Sequence, residues 1–385
     1  HSLTSSGERT VGSLRFPVEV FKKLVYDHAD NDVFFSPCGL AASLSMLLGG
    51  AHDQAAAQVA QLLHLHSSDS PTSFHELLIC LRNAAPNIRL KMANLSYVDK
   101  QYHVVPEYLS FINKFYEASL REAPFATHPQ AATVEINERI QHLTNAVNVL
   151  NGAWVNSNTQ LVVVQALHFR ALWDFQFVRE DNVRRDFTDV HGDKHMVDMM
   201  VTNGVFRSCV YRELDTAAVE LPYKDVGSSL VLLKPNSPTG IDALVSGLTP
   251  IHLDRLLKAL RHKGSVSLAI PRLRLCKTCE MSQVLKELGL TSLFSDPTAL
   301  LGIAANRPLS CSLLVQRVSL TLDERGSEAP RPSADLDVLV SSASGAIEFT
   351  LDRPFVFVLL HRDPFAVVFM GCVKEAPVTN PTKTD

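Results

Sequence analysis

Two strand-like segments near the C-terminal end bracket a long polar stretch, and no other feature restricts the fold as much. The first runs out through Asp323-Glu324-Arg325-Gly326-Ser327-Glu328-Ala329. The second opens with Phe349-Thr350-Leu351-Asp352-Arg353-Pro354-Phe355-Val356-Phe357-Val358-Leu359. The stretch between them contains Pro330 and Pro332 together with several charges. Loops that long inside a compact domain are uncommon and usually functional.

The rest of the 385 residues can bury a large core, with 46% hydrophobic and 20% charged residues. A net charge of −4 argues against a general nucleic-acid surface. No apolar run is long enough to span a bilayer. The first residue is His1 rather than Met, as expected for a processed, secreted chain whose signal peptide has been removed.

Helical and strand patterns separate along the chain. Phe16, Val20, Phe21, Leu24 and Val25 share one face of a helix over 14–28. Ser36 suits the cap and Pro37 the first turn of the next helix, which runs through Ala41 to Leu48 and stops at Gly49-Gly50. Further helices are expected at 53–65, 71–84, 106–118, 131–149, 252–261 and 281–288. Leu161 to Phe169 is a β-branched, mostly apolar run that reads as a central strand buried on both faces. Other strands are expected at 216–222, 228–234, 265–274, 311–323, 355–361 and 366–373. Helices first and mostly strands afterwards indicate an α+β fold over 1–385 as a single domain.

Isolated motifs add little chemistry. The seven cysteines are odd in number, and most lie in apolar runs that suit buried thiols. Cys276-Lys277-Thr278-Cys279 has metal-ligand spacing but no second pair nearby. His64 and His66, two apart, fall on different sides of a helix, and His191 and His195 flank a turn, so no metal site is expected. The sequon at Asn94 sits in an alternating strand, which would leave it unglycosylated. Arg255, Lys258, Arg261 and Lys263, with His262, form a basic set at a helix end, a weak glycosaminoglycan candidate that also suits favourable C-terminal cations. No phosphate loop, nucleophile elbow or paired acid site is present, so the chain is not expected to be an enzyme, and no cofactor is implied.

These segments, taken in order, resemble the serpin family over nearly the whole chain. The resemblance is carried by Phe35-Ser36-Pro37 with Leu44 to Leu48 and by Leu161 to Phe169 followed by Trp173. It continues through Val219-Glu220-Leu221-Pro222-Tyr223-Lys224, Ile270-Pro271-Arg272, Leu288-Gly289-Leu290, Leu293-Phe294-Ser295 and Phe365 to Gly371. Tyr97-Val98-Asp99-Lys100 and His361-Arg362-Asp363-Pro364 look most like secreted arthropod serpins, those of tick saliva in particular. The resemblance implies helices packed around three β-sheets, with an exposed reactive-centre loop at about residues 326–347. It also implies a mechanism: in inhibitory members a serine protease cuts the loop, and the acyl-enzyme is trapped as the loop inserts into the main sheet. The family places a breach tryptophan at Trp173 and a polar shutter cluster at Ser36, Gly39, Gln165 and Gln316.

Alignment of both loop ends puts the scissile bond at Val340-Ser341, with Leu339-Val340 and Ser341-Ser342 as neighbours. A small β-branched residue there suits elastase-like proteases. The hinge comprises Glu324, Gly326, Ser327, Ala329, Pro330, Arg331 and Pro332. In the family the alternate residues from 327 onward face the core, which here would bury Arg331, Asp335 and Asp337. Each buried ion costs several kcal/mol unless well paired. Pro330 and Pro332 cannot donate to a sheet ladder. Family inhibitors instead carry small residues through this hinge. The shutter also departs, with Gly39, Gln165 and Gln316 where the family has Ser, Asn and His. The resulting expectation is a secreted, monomeric serpin that no longer traps proteases and acts by binding a receptor or other extracellular partner. The alternative is a working inhibitor of an elastase- or chymotrypsin-like protease, and a small-ligand carrier is a third class.

Overall fold

The computed structural model describes residues 2–65, 72–224, 227–325 and 346–377. The N-terminal half supplies α1 (Ser2–Asp27), β1 (Val33–Phe35), α2 (Pro37–Leu48), α3 (Asp53–Leu62), α4 (Thr72–Asn83) and β2 (Ile88–Asp99). It continues with α5 (Pro106–Tyr116), β3 (Ser119–Ala123), α6 (Pro129–Thr144) and β4 (Leu161–Ala171). Then come β5 (Val183–Thr188), β6 (Lys194–Tyr211), β7 (Thr216–Pro222), β8 (Ser228–Pro235), α7 (Ile241–Gly247) and α8 (Pro250–Ala259). The chain continues through β9 (Arg261–Pro271), β10 (Leu273–Glu280), α9 (Ser282–Glu287), α10 (Thr291–Ser295) and β11 (Leu313–Leu322). It closes with β12 (Ile347–Thr350), β13 (Phe355–His361) and β14 (Ala366–Val373).

A five-stranded sheet has the order β10-β11-β4-β2-β3. The Val-rich run expected to be central is β4, with its neighbours β2 antiparallel and β11 parallel. The parallel pairing holds from Leu313 beside Val162 to Leu320 beside Phe169. Alternation divides the side chains between two faces. On the outer face, Ala93, Leu95, Tyr97, Val162, Val164 and Val315 pack beneath Ile136 and Ile140 of α6. On the inner face, Leu167, Phe169, Val318 and Leu320 join the aromatic core that leads to Trp173.

The other strands form a nine-stranded sheet ordered β1-β14-β13-β8-β7-β6-β9-β12, with β5 on β6. The second and third sheets of the expected architecture run together here. The 18-residue β6 pairs with β5 along its first part, with β9 from Met199 to Ser208 and with β7 at its end.

Three local expectations change. The strand expected over 265–274 is two strands that belong to different sheets. Pro271 ends β9, and the Arg272 N–H donates to the Asp198 carbonyl at 3.1 Å as the chain crosses to β10. The helix expected over 131–149 stops at Thr144, because Asn145 adopts a left-handed φ of 64° and caps it. β6 has no counterpart in the sequence reading, because apolar residues at exposed positions, Met196, Val205 and Val210, blur its alternation.

Candidate functional site

The residues expected to form the shutter make a hydrogen-bonded knot that ties α2 to the two central strands. Ser36 caps α2, its Oγ accepting from the Gly39 N–H at 3.1 Å and donating to the Val368 carbonyl at 2.6 Å. Its backbone N–H donates to Gln316 Oε1 at 2.9 Å. Gln316 Nε2 in turn donates to the Ser36 carbonyl and to Gln165 Oε1, both at 3.0 Å. Gln165 and Gln316 stand side by side in the β4–β11 register, so the hydrogen bond between their side-chain amides crosses the seam between these strands.

Gly39 is required by this arrangement. A Cβ there would lie 2.4 Å from Gln165 Oε1 and 2.8 Å from Leu167 Cδ1. The longer glutamine occupies the volume that a side chain at 39 would use. Gly39→Ser alone should therefore cost about 1–3 kcal/mol by overpacking. Adding Gln165→Asn, which withdraws the amide by one methylene, should recover much of that loss. Denaturant melts of the two single variants and the double variant measure the coupling; strictly additive losses would show that the two residues do not share this space.

At the C-terminal end of the β4–β11 seam, the expected breach residue Trp173 lies in an aromatic stack. Trp173 lies face to face with Tyr223, with centroids 4.6 Å apart and planes 6° apart, and meets Phe177 edge-on. Burial drives the Tyr223 phenol pKa upward. Trp173 also holds the start of the loop. Its Nε1 donates to the Asp323 carbonyl at 2.9 Å and its backbone N–H to the Arg325 carbonyl at 3.1 Å. Glu324 accepts from Asn182 Nδ2 at 2.7 Å and lies 2.9 Å from Arg272 Nε. At the loop's far end, β12 pairs in parallel with β9. The remaining predicted hinge residues, Gly326, Ser327, Ala329, Pro330, Arg331 and Pro332, and the bond Val340-Ser341 lie outside the described residues.

The other predicted positions are scattered. Asn94 is buried in β2 and its Nδ2 donates to the Tyr116 carbonyl at 3.1 Å. In the basic set, Lys258 pairs with Asp254 at 2.9 Å, and Arg261 donates to the Lys258 and Leu260 carbonyls. Cys276 and Cys279, three apart on β10, point to opposite faces and cannot share a ligand. None of the seven cysteines is joined in a disulfide. Burial pushes Cys38 and Cys279 up to about 11 and Cys372 to about 12, so they pack as protonated hydrophobes. His64 pairs with Glu19 and His195 with Asp189, and among the described residues no three His, Cys, Asp or Glu side chains group as metal ligands. No described helix is long and apolar enough to cross a membrane.

Comparison with known proteins agrees with this geometry. The profile of the Serpin (serine protease inhibitor) family matches residues 12–376. Iris of Ixodes ricinus is 30% identical over 367 residues, covering 94% of this chain and 97% of its own. Leukocyte elastase inhibitor A of Mus musculus is 29% identical, covering 93% of this chain and 97% of its own. The crystal structure of uncleaved ovalbumin superposes with a TM-score of 0.88 at 27% identity, covering 95% of this chain and 99% of that one. The chain belongs to the serpin family, a family of protease inhibitors rather than enzymes, and the resemblance to tick relatives stands.

Proposed function

We propose that this is a secreted serpin that a serine protease cleaves as a substrate, without being trapped, and that the protein acts by binding or modulating an extracellular partner. One observation carries this reading: the sequence has Pro330-Arg331-Pro332 early in the segment that would have to become a new strand between β4 and β11. Backbone N–H groups alternate in direction along a strand, so residues 330 and 332 would both face the same neighbour. Both lack the donor, and two successive acceptors on that neighbour would go unpaired at about 1–3 kcal/mol each. Burial of Arg331, Asp335 and Asp337 adds several kcal/mol per ion, for a total on the order of 10 kcal/mol. Insertion must also outrun hydrolysis of the acyl-enzyme, and the penalty falls at the hinge, where insertion begins.

The second reading is inhibition of an elastase- or chymotrypsin-type protease. The similarity to leukocyte elastase inhibitor A and the small Val340 favour it. Incubation with elastase, chymotrypsin and trypsin separates the two. The expected outcome is two fragments from a cut near Val340, together with fully active protease. An SDS-stable complex at near-stoichiometric inhibition would overturn the proposal and establish the second reading.

A further inference from the structure

We infer that the outer face of the five-stranded sheet, at the end near Trp173, binds a compact, multiply sulfated saccharide. Strand register places the residues of this face in rows. Arg89 stands opposite Arg170, and Lys91 opposite His168. Across the seam, Ser319 stands beside His168, and His168 Nδ1 lies 3.0 Å from Ser319 Oγ. Arg274 of β10 stands opposite Thr321 of β11, and Thr278 opposite Arg317, whose Nη1 donates to Thr278 Oγ1 at 2.9 Å. These positions continue the face that α6 covers further along the sheet, where Ala93 and Ala166 pair beneath that helix. Beyond that point the helix no longer covers the sheet, and Arg89, Lys91 and Arg274 are exposed.

Arg89 and Arg170 form a like-charged pair directly opposite on one face, which destabilises an antiparallel ladder, and Lys91 adds a third cation one row along. Among the described residues, Asp323 lies 3.6 Å from Arg170 and is shared with Arg325 at 3.8 Å. Glu324 is taken up by Arg272 and Asn182. The groups around His168 are Lys91 from β2, Arg170 from its own strand, Arg274 from β10, and the Ser319 hydroxyl from β11, with Asp323 beyond Arg170. Burial first, and those three cations after it, hold the imidazole pKa below its usual value.

The chemistry selects the ligand. Five permanent cations spread over four strands, three gaps of about 4.8 Å each, match a molecule about 14 Å across that carries several anionic groups. Ser319, Thr321 and Thr278 lie between the cations and would meet sugar hydroxyls. Among its described residues the face carries no Phe, Tyr or Trp on which a nucleobase could stack. Such a ligand touches β4 and β11 together and would hold the seam closed, whether or not the loop can insert.

Calorimetric titration of the full chain with sucrose octasulfate tests the assignment. Saturable binding is expected, weaker in 0.15 M than in 0.05 M salt, as about 8–14 Å Debye screening requires. Arg89→Ala with Lys91→Ala should weaken it by about tenfold or more, the loss of two charge-assisted contacts. If that variant fails to fold by its melting curve, Arg274→Gln, at the opposite edge of the face, should show a loss in the same direction. Arg255→Ala with Lys263→Ala, on α8 and β9, should leave affinity unchanged. Affinity should rise as the pH is lowered from about 7 to about 5, through the range below the ordinary histidine value of about 6.5, as His168 gains its proton, and His168→Gln should abolish that rise. No saturable binding at about 1 mM probe, or binding lost only in the α8–β9 variant, would overturn the site. A short oligodeoxynucleotide that competes as well as the saccharide would overturn the ligand assignment.

Discussion

Replacing Pro330, Arg331 and Pro332 together by alanine should turn loop cleavage into a stabilising event. The parent chain, nicked near Val340, is expected to melt close to the intact protein, because insertion would bury Arg331, Asp335 and Asp337 and leave two acceptors on a neighbouring strand unpaired. The triple variant returns two donors and removes one buried cation, a change of several kcal/mol. In a chain of this size that corresponds to a rise on the order of 10 °C after cleavage. Asp335 and Asp337 still cost something later in the strand, so the stability gain should appear before efficient inhibition does. Melting curves before and after clean nicking decide the matter. If the triple variant melts no higher after cleavage than before it, the lesion lies in those aspartates or in the Gly39, Gln165 and Gln316 knot. Installing Ser, Asn and His at those three positions in the same background then separates the two.

Trp173→Ala should destabilise the protein by about 3–5 kcal/mol, the usual cost of emptying a large buried aromatic site. The loss includes the stack on Tyr223 and the hydrogen bond from Nε1 to the Asp323 carbonyl. Trp173→Phe keeps most of the stack and forfeits the donor, so it should cost far less, about 1–2 kcal/mol. Both variants keep the backbone N–H that holds the Arg325 carbonyl and lose the Nε1 donor to the Asp323 carbonyl, but the Ala variant also empties the stack beneath the start of the loop, so it should speed cleavage of the loop by dilute protease more than the Phe variant does. Equal stability losses in the two variants would show that the indole contributes through its N–H alone.

Much of the scaffold was legible because its signals are local. The Val162-Val163-Val164 run announces a strand buried on both faces, and Ser36-Pro37 announces a capped helix; both stand where their chemistry puts them. The failures have physical causes as well. Asn145 ends α6 by a backbone conformation that its side chain merely permits. β6 alternates too weakly to read, since its exposed positions are neither uniformly polar nor uniformly charged. Within the site, the glutamine pair was foreseeable from the residue types. The reason for Gly39 was not, because it depends on where Gln165 Oε1 comes to rest. The cation rows were invisible for the same reason: Arg89, Lys91, Arg170, Arg274 and Arg317 become neighbours only through strand register.

The placement of β13 and β14 has a consequence for biosynthesis. These late strands do not decorate an edge: β14 lies between β1 and β13, and β13 between β14 and β8. Val33 finds its partner Cys372 only when nearly all the chain is available. During vectorial synthesis on the ribosome, the hydrogen-bonding edges of β1 and β8 therefore stay unsatisfied until residue 373 has emerged. Nascent chains stalled shortly before that point should need chaperone cover, and premature stop codons near the 3′ end of the message should be as damaging as those much earlier.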